Sequence, residues 1–206
     1  MDEKALFTSF WNKEAETTRR VFERIPDGSD YRPDPKSRTA RQIAWQIVCE
    51  QAAIMDALES GAMRWNPPKM PDSMSGVVGA LDDQRSDLAR RLEALPAERW
   101  NGTVDLMGTA RPAAPLAWSF FFDIIHHRGQ ITTYLRPMGS TVPRSTGRPP
   151  TSRRLGLGSL YTPARGRARS MSTNDMQQKC CAFDRPVLRC ATQMLHNTSG
   201  TDTASD

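Results

Sequence analysis

Long apolar runs are missing from this sequence. None reaches the about 18 residues that a membrane-spanning helix needs, so no span and no membrane partner are expected. The N-terminus, MDEKALFTSFW, has neither a basic flank nor the apolar core of a signal segment, and a cytoplasmic protein is the expectation. Cysteine is scarce: of four, only Cys49 precedes residue 180. A single thiol within a helical stretch reads as a small buried residue rather than a nucleophile. No nucleophile motif, phosphate-binding loop, cofactor fingerprint or internal repeat occurs.

Positive charge is also missing from most of the chain, although the net charge is +5. Residues 1–143 hold 18 basic against 19 acidic side chains, and residues 144–206 hold 10 against 4. The basicity belongs to the C-terminal part, so the main body offers no electrostatic footprint for nucleic acid, and no such partner is expected.

What the first 143 residues do have is helical periodicity. Residues 2–25 place Leu6, Phe7, Phe10, Trp11, Thr17, Val21 and Phe22 on one face and Arg19, Arg20, Glu23 and Arg24 on the other. The breaker cluster Ile25-Pro-Asp-Gly28 ends that helix. Ser37 or Thr39 can then cap a second helix over about 38–60, whose stripe is Ile43, Ile47, Ile54 and Leu58. A proline-rich loop from Gly61 to Ser75 follows, in which Trp65 and the methionines could form a lid or pack on the surface. A third helix over about 75–95 turns Val77, Val78, Leu81, Leu88, Leu92 and Leu95 inward and its charges to water. In the connector over 103–115, TVDLMG suggests a short extended turn. All five tryptophans, at 11, 45, 65, 100 and 118, fall in this part and supply apolar surface for a core.

The stretch around which the chain is organised is Leu116–Pro143, LAWSFFFDIIHHRGQITTYLRPMGSTVP. Leu116, Phe120, Ile124, Ile131, Leu135 and Met138 recur at helical spacing, and Gly139 suits a left-handed cap. Asp123 and His127 lie four apart beside that stripe, so both project from one face near the core. Burying a carboxylate and an imidazole costs several kcal/mol unless they are paired or bound to a metal. Glu50, one turn beyond Gln46 on the second helix, could join them if the two helices run antiparallel. One nitrogen and two carboxylate oxygens would suit Zn, Ni, Mn or Fe with positions left open. The alternative is that Asp123 and His127 bond each other, or Arg41 or Arg128, and set helix register. His126 points about 100° away round the helix and suits packing or an interface. Arg128, Gln130 and Arg136 read as surface or interhelical contacts, and Gly129 as a point of close helix approach.

The run His126-His127-Arg128-Gly129-Gln130, with Tyr134-Leu135-Arg136 and the Gly139…Val142-Pro143 exit, resembles the DinB/YfiT-like superfamily, which is unrelated to the DNA polymerase that shares its name. The resemblance implies an all-α, four-helix up-and-down-type bundle over 1–143. It also implies a divalent metal held by three histidines, one on the second helix and a His-x-x-x-His pair on the last. Of these only His127 is present; Gln46 and Asp123 stand at the other two places. Glutamine's neutral amide oxygen is a poor transition-metal ligand, which makes Glu50 the better candidate. Family activities include transfer of thiols such as bacillithiol or glutathione and mycothiol-linked isomerisation. The expected function is therefore a metal-dependent, thiol-handling or stress-linked enzyme acting on a small molecule, and a homodimer. The alternative is a metal-free bundle serving binding or dimerisation.

Residues 144–206 are rich in Arg, Ser, Thr, Gly and Pro, with Tyr161 and Phe183 as the only aromatics. Such a segment cannot bury enough apolar area to offset chain entropy, and a largely disordered tail is expected. Cys180, Cys181, Cys190 and His196 fit no standard zinc spacing. Codons chosen for Pro143–Ser152 and read two bases later encode Ser-Ile-Tyr-Gly-Ala-Ser-Ala-Asp-Glu, which is similar to the way the resembled subfamily continues. A nucleotide missing near codon 143, with the tail translated out of frame, accounts for this.

Overall fold

The computed structural model describes residues 2–143; the basic tail, with its arginines, three cysteines and His196, lies outside the described residues. The described residues are mostly helical: α1 (Glu3–Phe22), α2 (Ala40–Ser60), α3 (Met74–Ala94), a one-turn α4 (Ala97–Trp100), a hairpin of β1 (Thr103–Leu106) and β2 (Thr109–Pro112), and α5 (Ala113–Leu135). Each long helix begins where the local chemistry satisfies its free N–H groups. Asp2 caps α1 by accepting from the Ala5 N–H at 2.7 Å. Thr39, rather than Ser37, caps α2 and shares a reciprocal capping box with Gln42. Ser73 caps α3 by accepting from Gly76. α5 starts three residues before Leu116, and Pro115 falls within its first turn, where a missing N–H costs nothing. Its C-terminus closes through Gly139 at φ 75°, with the Ser140 N–H donating to Leu135 O at 2.8 Å.

α2 packs against both α3 and α5, and α1 against the same two helices. The core runs along α2, where Ile43, Ala44, Ile47, Ile54, Met55, Ala57 and Leu58 are all buried. Val77, Leu81, Leu88 and Leu92 of α3 meet it on one side and Leu116, Ile124, Ile131 and Leu135 of α5 belong to the same cluster. An aromatic group closes one end of the core. Phe7 lies 5.6 Å from Trp11, 5.1 Å from Trp100, 5.0 Å from Trp118 and 5.7 Å from Phe121, ring centre to ring centre. Among the described residues no helix is long and apolar enough to cross a membrane.

Four expectations change. The described residues are not purely helical, because TVDLMGTARP forms an antiparallel hairpin rather than a lone extended turn. Its loop, Met107-Gly108, has φ 53° and 82°, both positive as in the primed two-residue turns that match strand twist. The hairpin is tied to the end of α2 by Met63 N–H to Asp105 O and Asp105 N–H to Gly61 O, each 2.8 Å. Leu6 and Phe10 are 41% and 42% exposed, since α1 turns Phe7 and Trp11 to the core instead. The charges of α3 do more than face water: Arg19–Asp82 and Arg85–Glu16 bridge α1 to α3, and Arg91 bridges α3 to Asp56 and Glu59 of α2. Each such exposed pair contributes about 0–1 kcal/mol. Finally, Gly129 does not admit a neighbouring helix, because a Cβ built there meets nothing within 4 Å.

Two stability changes follow. Gly129→Ala fills open space in mid-helix and should raise stability by about 0.5–1 kcal/mol, read as a higher chemical-denaturation midpoint. Phe7→Ala removes the ring on which the aromatic group converges and should cost about 3–5 kcal/mol in the same measurement.

Candidate metal centre

The seam between α2 and α5 carries a cluster of buried polar residues. Gln46 and Glu50 come from α2, four apart; Asp123 and His127 come from α5, also four apart, so each helix presents its pair on one face. Glu50 is 0% exposed, and Gln46 and His127 are buried beside it. One ligand atom from each of Glu50, Asp123 and His127 lies within 4.8 Å of the other two. His127 Nε2 is 3.3 Å from Asp123 Oδ2. The Gln46 amide sits between the helices, donating to Glu50 Oε1 and lying 3.0 Å from His127 Nε2. Glu50 Oε2 and Gln46 Oε1 are buried with no hydrogen-bond partner.

A second layer orients the imidazole. His127 Nδ1 is 3.0 Å from Gln130 Oε1, and Gln130 Nε2 is 3.0 Å from Nε2 of the exposed His126. An amide oxygen can only accept, so Nδ1–H donates to it, and Nε2 faces Asp123 and the Gln46 amide. That is the tautomer a metal-binding histidine adopts. Gln130 is therefore a partner of His127 and not the surface or interhelical contact expected of it; neither its spacing nor its chemistry distinguished the two. Of the alternatives expected for Asp123 and His127, their contact with each other is present at 3.3 Å, whereas the two arginines are engaged elsewhere. Arg41 donates to Pro71 O at 2.8 Å, and Arg128 pairs with Glu14 at 2.6 Å and donates to Thr18. Arg128 thus ties α5 to α1, an interhelical contact.

The electrostatics follow from burial. Desolvation, together with the nearby Asp123 charge, pushes the Glu50 carboxyl up to about 7, opposed by His127, the Gln46 hydrogen bond and Arg38. Desolvation works against a charged His127, but the Asp123 hydrogen bond and charge, with help from Glu50 and Gln130, outweigh it and raise the imidazole above its usual value. Burial thus holds Glu50 toward its neutral form, and Asp123 holds His127 toward its charged form. Cys49 neighbours Glu50 in sequence, but burial drives its thiol up to about 12, so it is inert at neutral pH.

Over the outer end of α2, Trp45 Nε1 donates to Pro68 O at 3.1 Å and Arg41 holds Pro71 O. The proline-rich loop is thereby strapped to α2, and Trp65 packs partly buried against the core.

A family model described as the DinB family matches residues 1–149. Two solved structures share the fold. A DinB-like protein from Bacillus subtilis aligns with a TM-score of 0.60 at 20% identity, covering 69% of this chain and 99% of that one. A DinB-like protein from Bacillus cereus aligns with a TM-score of 0.59 at 22% identity, covering 67% and 94%. No curated protein matches the chain in sequence.

The raised carboxyl gives the metal-free protein a pH signature. Folded Glu50 keeps its proton to about 7, whereas the unfolded chain releases it near 4.5. Between those values the native state binds more protons, so stability falls as pH rises. The raised His127 acts in the same sense, its stabilising share being lost as pH rises through its folded value. Denaturation midpoints should therefore drop between about pH 5 and pH 8, at about 1.4 kcal/mol per tenfold change in proton affinity. Glu50→Gln should flatten that slope; an unchanged slope would assign it to another group.

Proposed function

This chain belongs to the DinB family, and from that membership we propose that it is a divalent-metal-dependent enzyme of the thiol-transferase or stress-linked type, acting on a small molecule or low-molecular-weight thiol. The observation that supports this reading is the convergence of Glu50, Asp123 and His127, one ligand atom from each lying within 4.8 Å of the others. Two buried carboxylates so close repel unless a proton or a cation lies among them, and Glu50 Oε2 and Gln46 Oε1 have no donor among the described residues. The donor set fits a borderline divalent ion such as Zn, Ni, Mn or Fe: His127 Nε2 with one oxygen each from Glu50 and Asp123. A metal so held lowers the pKa of a bound water or thiol.

The chain's own residues would do the rest. Gln130 fixes the His127 ring and its tautomer from behind. Gln46 spans Glu50 and His127 and spaces α2 from α5 at the site. Asp123, about a fifth exposed at its side chain, stands at the solvent side, whereas Glu50 is sealed. Substrate would therefore approach past Asp123, and Glu50 would hold its charge in a dry surrounding. The finer picture that goes with this reading is a four-helix up-and-down-type bundle working as a homodimer. A second reading has its own observation: the Gln46 amide already bonds both Glu50 and His127. On that reading the pocket is satisfied without metal and the bundle serves binding or dimerisation. We further propose that residues 144–206 are translated out of frame and contribute no ligand; an intact frame on resequencing the gene would reject that.

Metal analysis of untagged protein separates the two readings. One equivalent of metal in the wild type, lost in His127→Ala and in Glu50→Gln while both remain folded by circular dichroism, is the outcome expected of the enzyme reading. Metal-free wild-type protein after equilibration with Zn²⁺ leaves the second. Gln46→His, which puts the family's usual nitrogen ligand on α2, should tighten metal binding about tenfold or more.

A further inference from the structure

Arg38 is the one charged group of this region that the site so far described does not use. It immediately precedes Thr39, the cap of α2. The side chain is half-buried, and its Nη1 is shut off from solvent with no hydrogen-bond partner. No ion pair joins it to any acid among the described residues, yet Glu50 and Asp123 are the carboxylates whose charges reach it, and Tyr134 of α5 is its other neighbour. A buried guanidinium N–H without an acceptor is costly, the more so because the donor is charged. Its neighbours are not spare either: Tyr134 is engaged by Ser37 and packs edge-on to Tyr31 at 5.6 Å.

Charge counting points the same way. Two carboxylates neutralise a divalent ion, which leaves the guanidinium's positive charge unbalanced beside the site. A bound monoanion would balance it and would give Nη1 its acceptor.

We propose that Arg38 binds the carboxylate of a small-molecule substrate, so that the α2–α5 site selects organic acids over neutral molecules of the same size. The planar fork of a guanidinium matches a carboxylate in two parallel hydrogen bonds, a geometry that neither a neutral side chain nor lysine reproduces. This inference takes its location from the metal-site reading, but its test does not depend on that reading. Arg38 is a binding residue here, with no role in holding the metal.

The experiment is calorimetric or NMR titration of full-length protein with acetate, with acetamide as the neutral isostere and inorganic phosphate as the competing anion. It is carried out on Zn²⁺-loaded and on metal-stripped protein. Wild-type protein should bind acetate in preference to acetamide and phosphate, more tightly in the Zn²⁺-loaded form, where the two neighbouring carboxylates are neutralised. Arg38→Gln should weaken acetate binding about tenfold to a hundredfold, the loss expected for a charge-assisted hydrogen bond, and leave acetamide unchanged. Arg38→Lys, which keeps the charge but not the fork, should fall between them. Zn²⁺ content of Arg38→Gln should equal or exceed that of the wild type, because a neighbouring positive charge is gone. Equal acetate affinity in wild type and Arg38→Gln, or no acetate binding in either wild-type form, overturns the proposal. Preference for phosphate over acetate overturns the carboxylate assignment. Absence of Zn²⁺ from wild-type protein counts against the metal reading alone, and the metal-stripped titration still decides Arg38. Should Arg38→Gln unfold, the Arg38→Lys titration decides on the same criterion.

Discussion

A fully buried carboxylate is the constraint on which the rest of this structure turns. Glu50 sits on the most deeply packed helix with no exposure to solvent. An ion that deep costs several kcal/mol unless its oxygens are met. On α2 itself only Gln46 can reach it, so its remaining partners must come from the facing helix. On that helix His127 favours its charge while the like charge of Asp123 opposes it, and Oε2 keeps no donor among the described residues. A shift by one residue along either helix would turn a pair through about 100° and strand the carboxylate in hydrocarbon.

The same constraint creates the chemistry. Burial raises the Glu50 carboxyl, and the neighbouring Asp123 charge raises both Glu50 and His127. Behind them Gln130, itself in contact with His126, holds the imidazole so that Nε2 faces inward. Arg38 extends the pattern toward the start of α2, where a positive group lies near two acids without pairing with either. Acid pair, imidazole and guanidinium form a graded field along one seam, negative at its centre and positive at its rim. That gradient would orient a small ligand with an acidic end.

Legibility of the fold varied with how local its cause was. The stripes of α2, α3 and α5 could be read residue by residue because burial follows a period that the helix itself imposes. The first helix was harder: Leu6, Phe7, Phe10 and Trp11 are all large and apolar, and only packing against Trp100, Trp118 and Phe121 selects Phe7 and Trp11. The hairpin was missed because its turn uses Met107-Gly108, where an Asn-Gly or Asp-Gly pair would have signalled it. Gly129 invited an interhelical explanation, yet its surroundings are empty. Gln130 resembled any surface glutamine; its bond to His127 depends on a rotamer that no spacing rule encodes.

By itself the sequence determined that the body is built of amphipathic helices, that its charge is balanced, and that Glu50, Asp123 and His127 are the residues able to carry metal chemistry. Those properties reside in composition and in periods of three to four residues, which the backbone converts directly into faces. Only the tertiary structure decided that the three groups meet, that Gln46 lies between two of them, and that Arg38 is left without a partner. Such facts are distances between atoms far apart along the chain, set by how α2 and α5 cross, and no local pattern holds them.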